Sequence, residues 1–403
     1  MKYTARWLVA IFFCLLMLAP VYTMAEEAPS AENPFPLPAG LENAVEFWKR
    51  IFAEYSLSQL VFFDPLDMSK IYEVTDVGEE ARTLKYIDRE RTRIAAAHGV
   101  EIDRVRAQRG IKERTLAGIK RSGRYIAQMQ QIFRDRGLPV ELTYLPLVES
   151  SFEINARSYA GAIGMWQFMR ITGKEFRLRI DRAIDERKDP LESTRAAAAL
   201  LDQNYQVLGN WPLALTAYNY GQAGLARAAA QVGSRNLMDL INNYSHRYWG
   251  FAPKNFYAEF LAAVDVAKNS ERYFPGLELH PPAAIQEHEL KNGTSLGALV
   301  HSTGLTHAQL LEWNPALSSS VRVVPAGYRV KLPADKNAEA VVEVAPNRPP
   351  EQTQVVRHRV KRGETLFQIA RRYGASLERI LQLNGIQRPH LVRVGTLLLI
   401  PRA

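Results

Sequence analysis

The chain has one cysteine, Cys14, in 403 residues, which excludes a disulfide framework and any thiolate metal site. That cysteine lies in the apolar run of residues 7–18, with Lys2 and Arg6 before it and Thr23-Met24-Ala25 after it. A charged start, a short apolar core and a small-residue cleavage site over residues 1–25 read as an export signal. An uncleaved membrane anchor is the alternative, although about a dozen apolar residues is short for a full span. Cys14 follows Phe12 and Phe13 rather than small residues, a poor setting for lipid attachment. Histidine is sparse as well: His246 stands between Ser245 and Arg247 with no second histidine near it, and nothing has zinc-site spacing. No metal and no cofactor are expected. The net charge is +9, falling to +7 once Lys2 and Arg6 are removed, and the cations are interspersed with acids as on solvated helix faces. A basic exported chain suits an anionic polymer such as cell wall, or an anionic membrane face. Nucleic acid fits the charge but not the export.

At this length two or three domains are expected. Residues 26–112 read as a tether (26–40), an amphipathic helix marked by Leu41, Val45, Trp48, Ile51, Phe52 and Tyr55, and a charge-dense stretch that fits exposed helices better than strands. Residues 113–276 lack any convincing alternation and form an all-α domain. Tyr125, Ile126, Met129, Ile132 and Phe133 mark one helix, closed by Gly137; Asp189 caps another with Glu192 placed to reach back; Pro212 opens a third that Gly221 stops. Between the first two, Leu138-Pro139 begins a helix on which Leu142, Leu145 and Val148 recur, and which ends on Glu149. A carboxylate at the end of a buried helix, followed by a glycine- and aromatic-rich loop, is placed to act as a general acid. The only acid close to it in sequence is Glu153, read as a surface residue, so Glu149 is expected to work alone.

After Phe274 an internal repeat begins. His288, Gly293, Leu296, Gly304, Leu311 and Asn314 recur 70 positions later as His358, Gly363, Leu366, Gly374, Leu381 and Asn384, and a two-residue contraction then pairs Gly327 with Gly395 and Pro333 with Pro401. Each unit (285–333 and 357–402) is expected to run β-α-α-β, with first strands at 289–291 and 359–361. Residues 334–356, rich in Ala, Glu, Pro and Asn, read as a flexible linker.

The second unit, HRVKRGETLFQIARRYGASLERILQLNGI closing on VGTLLLIP, resembles a LysM domain, and the first, with KNGTSL for KRGETL, resembles a degenerate copy. The helical domain resembles the transglycosylase SLT family through Glu149-Ser150, Gly164-Met165-Trp166-Gln167-Phe168, Ala217-Tyr218-Asn219-Tyr220-Gly221 and a tyrosine in Phe256-Tyr257-Ala258-Glu259-Phe260-Leu261, in that order. The resemblance implies a lysozyme-like all-α catalytic domain followed by two small α+β modules that bind wall glycans. It also implies a carbon–oxygen lyase that cleaves the β-1,4 bond between N-acetylmuramic acid and N-acetylglucosamine of peptidoglycan without water. Glu149 would be acid and then base, leaving 1,6-anhydro ends. Ser150 and Gln167 would hydrogen-bond sugar and acid, with Met165 and Trp166 offering apolar surface. Tyr218 and Asn219 would line the cleft, and Tyr257 would reach Glu149, unless a one-residue slide puts Phe256 there. A water-using muramidase of the same fold and a silent wall-binding scaffold are the alternatives. The expected protein is a periplasmic, wall-associated monomer with peripheral membrane or envelope-protein contacts, membrane-anchored if the signal is retained.

Overall fold

The computed structural model describes residues 33–77, 83–336, 355–384, 386, 392 and 394–401. The expected export signal with Cys14, and most of the expected linker, lie outside them.

The N-terminal part contains α1 (Glu42–Ala53), β1 (Gln59–Asp64), β2 (Asp67–Asp76), α2 (Leu84–His98) and β3 (Arg106–Arg109). On α1 the apolar spacing holds: Val45, Trp48, Ile51 and Phe52 are buried, and the helix lies against the long helix Phe251–Lys268. The three strands form an antiparallel sheet in the order β2-β1-β3, which corrects the expectation of helices alone over 26–112. The sheet escapes a pattern search because β1 is covered on both faces. Leu60 and Phe62 join the small core under α2, whereas Val61 and Phe63 join the main core, so the run is continuously apolar. β3 is a four-residue polar edge whose charges read as helix surface. The tether reading fails too for residues 33–40. Phe35 is buried with its ring 5.1 Å from Phe260, and the Pro36 carbonyl accepts the Tyr257 hydroxyl at 2.8 Å.

The helical body follows as α3 (Lys112–Ser122), α4 (Ile126–Arg134), α5 (Leu145–Ser150), α6 (Arg170–Glu175), α7 (Pro190–Leu208), α8 (Trp211–Tyr220), α9 (Gln222–Val232), α10 (Leu237–Asn243), α11 (Phe251–Lys268) and α12 (Ser270–Tyr273). Asn210 caps α8 and Gly221 ends it at φ 92°, matching the reading of Pro212 and Gly221. Asp189 caps α7 by accepting from the Leu191 and Glu192 amides, but the Glu192 side chain turns to Arg195, Arg329 and Lys331 instead of reaching back. The helix expected from Leu138 is two pieces, a 3-10 turn over Val140–Tyr144 and then α5. Pro146 lacks the amide that a continuous α-helix would direct at Leu142, and its ring fits a helical first turn.

Both repeats have the expected architecture. The first is β4 (Ile285–Glu289), β5 (Thr294–Ser295), α13 (Leu296–Thr303), α14 (His307–Trp313), β6 (Val323–Val324) and β7 (Arg329–Pro333); the second is β8 (Val355–Arg359), α15 (Leu366–Arg372), α16 (Leu377–Leu383) and β9 (Leu397–Pro401). β4 pairs with β7 and β8 with β9, both antiparallel. The first strands lie about one turn upstream of expectation, since Leu290 and Val360 leave the ladder to enter each core. Asn314 donates to Leu310 and Lys331 carbonyls and accepts from the Lys331 amide. Asn384 does the same with Ile380, Leu399 and the Leu399 amide. One asparagine amide, buried in the first copy and partly buried in the second, thus staples helix to closing strand.

Candidate active site

Glu149 occupies the last turn of α5, and the chain reverses immediately beyond it. Ser151 and Phe152 take φ of 52° and 59°, and Gln167 takes 50°, left-handed values that side chains rarely adopt. Three such residues around one carboxyl mark a constrained site. The loop is pinned from below. Ser150 Oγ donates to the Met165 carbonyl at 2.8 Å, Gln167 Nε2 to the Gly164 carbonyl at 2.7 Å, and Trp166 Nε1 to Thr194 Oγ1 at 2.9 Å. Gly164 is obligatory here: at φ 84°, a Cβ would stand 1.8 Å from the Arg187 carbonyl oxygen.

A groove of about 550 Å³ opens beside this loop, lined by Glu149, Ser150, Glu153 and Gln167 with Arg114, Arg121 and Arg157. Glu149 retains some exposed surface at its floor, yet burial pushes the carboxyl up to about 8. The group is thereby protonated at neutral pH. The Tyr218 hydroxyl donates to the Trp166 carbonyl at 2.7 Å and lies in the field of Glu149; burial, then that carboxyl, raise its pKa well above the usual phenol value.

The sequence-predicted residues divide accordingly. Ser150 and Gln167 share the groove with Glu149, and Tyr218 stands beside it. Asn219 is exposed at the end of α8. Met165 and Trp166 are 1% and 0% exposed and belong to the core, with Trp166 stacked on Phe133, so they support the loop and offer a sugar no surface. Tyr257 is wholly buried, its hydroxyl committed to Pro36; the structure does not bring it to Glu149. The residue of that motif which does approach is Glu259 on α11. Its carboxyl is pushed up to about 8 by burial and by Glu149, against the opposing pull of Arg106. This second acid corrects the expectation that Glu149 stands alone. Its signal was available: α11 carries Phe256, Phe260, Ala262 and Ala263 inward, and a carboxylate among them is out of pattern. Arg106 lies 3.9 Å over the Phe251 ring, contributed by the edge strand that the sequence reading missed.

Residues 127–241 match the transglycosylase SLT domain model. The chain carries an SLT-type transglycosylase domain. Residues 358–401 match the LysM domain model; the match covers the second repeat, while the first shares its fold and asparagine staple. The chain is 28% identical over 273 residues to the membrane-bound lytic murein transglycosylase D of Escherichia coli (strain K12), covering 63% of this chain and 58% of that one. It is 35% identical over 101 residues to a putative tributyltin chloride resistance protein of Alteromonas sp. (strain M-1), covering 25% and 49%. It thus spans about half the length of these relatives. The 70 kDa soluble lytic transglycosylase of Escherichia coli is similar at a TM-score of 0.28 and 22% identity, over 36% of this chain and 24% of that one. Among the described residues no helix is long and apolar enough to cross a membrane.

Proposed function

We propose that this chain is a peptidoglycan lytic transglycosylase that cleaves the β-1,4 bond between N-acetylmuramic acid and N-acetylglucosamine, with Glu149 as its acid and base. The observation that carries this reading is a carboxyl protonated near neutral pH in an open groove, on the motif of a transglycosylase domain. Glu149 gives its proton to the bridging oxygen as the C1–O bond breaks, and the substrate's own N-acetyl group supports the positive charge left at C1. The carboxylate then takes the proton of the C6 hydroxyl, and O6 closes on C1 to give a 1,6-anhydro end. Water is not consumed, and the intramolecular attack is favoured by proximity. The arginines of the groove suit the acidic polymer, and the second repeat would keep the enzyme on it in the periplasm.

Glu259 supports a second reading. Hydrolysis requires a second carboxyl as the base for a water, and Glu259 is close enough to Glu149 to feel its charge. Mass spectrometry of digests decides between the two: anhydro ends from the wild type, lost in Glu149→Gln, support transglycosylation. Reducing ends alone would establish a muramidase, and undiminished lysis by Glu149→Gln would remove Glu149 from the chemistry.

A further inference from the structure

The first repeat is fixed to the catalytic domain. The Asp185 amide donates to the Ala316 carbonyl and the Ser318 amide to the Ala183 carbonyl, both at 2.8 Å, with a β-bridge between Ile184 and Leu317. Ile184 is itself buried in the core of the repeat. Behind this seam lies a charge cluster: Lys331 Nζ is 2.7 Å from Asp189, 3.4 Å from Glu192 and 3.7 Å from Glu287, and Arg195 reaches Glu287 at 2.5 Å. Lys331 and Asp189 expose 3% and 0% of their side chains. Burial opposes the lysine's charge, but the carboxylates more than offset it, and its pKa is raised.

Beside the seam an open hollow of about 500 Å³ lies between residues 181–188 and 311–319. One segment separates it from the catalytic groove: Glu153 and Ala156 face the groove, whereas Ile154 and Asn155 face the hollow. A polymer held at Glu149 therefore needs to cross only these residues to reach it. Asp181 is satisfied by the Ala183 and Ile184 amides and Arg179, and Asp185 by Arg187. Lys188, half-buried, and Arg182 line the same hollow, and neither side chain makes an ion pair or hydrogen bond among the described residues. Two unpaired cations in a polar hollow fit carboxylates, and Glu312 on the opposite wall fits an amine.

We propose that this hollow is a second binding site for the wall polymer, taking the zwitterionic peptides borne by the glycan chain, with Lys188 and Arg182 as their carboxylate partners. The inference rests on the transglycosylase reading for its ligand. It makes the first repeat a fixed wall of an extended site.

The test uses the full chain with Arg182→Ala and Lys188→Ala combined, and separately Ser319→Trp, which fills the hollow from the opposite side. Turnover is measured on peptide-bearing strands, on the same strands stripped of peptide, and on a fragment too short to leave the groove. Both variants are expected to raise KM on peptide-bearing strands about tenfold, the loss of one good charge-assisted contact. For the charge variant, kcat and the other two substrates stay unchanged. An unchanged KM on peptide-bearing strands, or an equal rise on stripped ones, overturns the proposal. If the wild type turns over none of the three, the catalytic reading fails alone, and co-sedimentation with peptide-bearing strands, weakened in both variants, decides the binding site.

Discussion

Glu149→Gln removes the proposed acid from the groove and also removes a carboxyl that folding has to desolvate, so the variant is expected to be more stable than the wild type at neutral pH. The folded carboxyl titrates at about 8 against an ordinary value of 4.5, with burial as the cause. Below pH 4.5 both folded and unfolded chains hold the proton and the group contributes no difference. Between 4.5 and 8 the unfolded chain releases a proton that the folded one keeps, so wild-type stability falls as pH rises. At about 1.4 kcal/mol per pH unit, reaching pH 7 costs about 3 kcal/mol. The exposed part of the side chain screens some of this, leaving about 2 kcal/mol. Glutamine has the same shape and no proton to lose. Urea unfolding of the helical domain should therefore show no gap between variant and wild type at pH 4 and a gap of about 2 kcal/mol in favour of the variant at pH 7. A gap independent of pH would refute the assignment of a buried, protonated Glu149. So would a variant less stable at neutral pH.

Glu259→Gln should reduce the basic limb of the pH–rate profile from two coupled steps to one, since two interacting acids titrate as a pair; an unchanged limb would show that the two do not communicate. Lys331→Met leaves Asp189 buried without its cation and should destabilise the chain by about 3–5 kcal/mol, read by urea unfolding. It should also make the first repeat susceptible to proteolysis. Gly164→Ala places a methyl against the Arg187 carbonyl at a left-handed φ; the expected result is a loss of at least about 2 kcal/mol and of most activity, measured by unfolding and wall lysis.

What the sequence made legible was whatever depends on local chemistry. Pro212 and Gly221 bound α8, Asp189 caps α7, and Asn314 and Asn384 recur because each repeat needs the same helix-to-strand amide at the same place. The face of α1 was legible because one side of that helix is solvated and the other is not. The sheet was illegible for the opposite reason: β1 has no solvated side, so its alternation between two cores leaves no polar trace, and β3 is too short and too charged to register. Phe35 and Pro36 are local to nothing, and only the folded body shows that Tyr257 spends its hydroxyl on the Pro36 carbonyl.

The same distinction bears on the site. Glu149 is legible because its motif is contiguous, but its neighbour Glu259 is far along the chain, in a motif whose recognisable member is a tyrosine. The two acids meet because α5 and α11 pack together, and packing is not a spacing. Arg106 opposes the charge of Glu259 from β3, so the N-terminal sheet, which lies outside the matched domain, takes part in the electrostatics of the cleft. Burial raises both carboxyls to about 8, and Arg106 opposes that rise at Glu259 alone. The order in which these two acids release their protons decides whether the second carboxyl is a base for water or only a brake on the ionisation of the first.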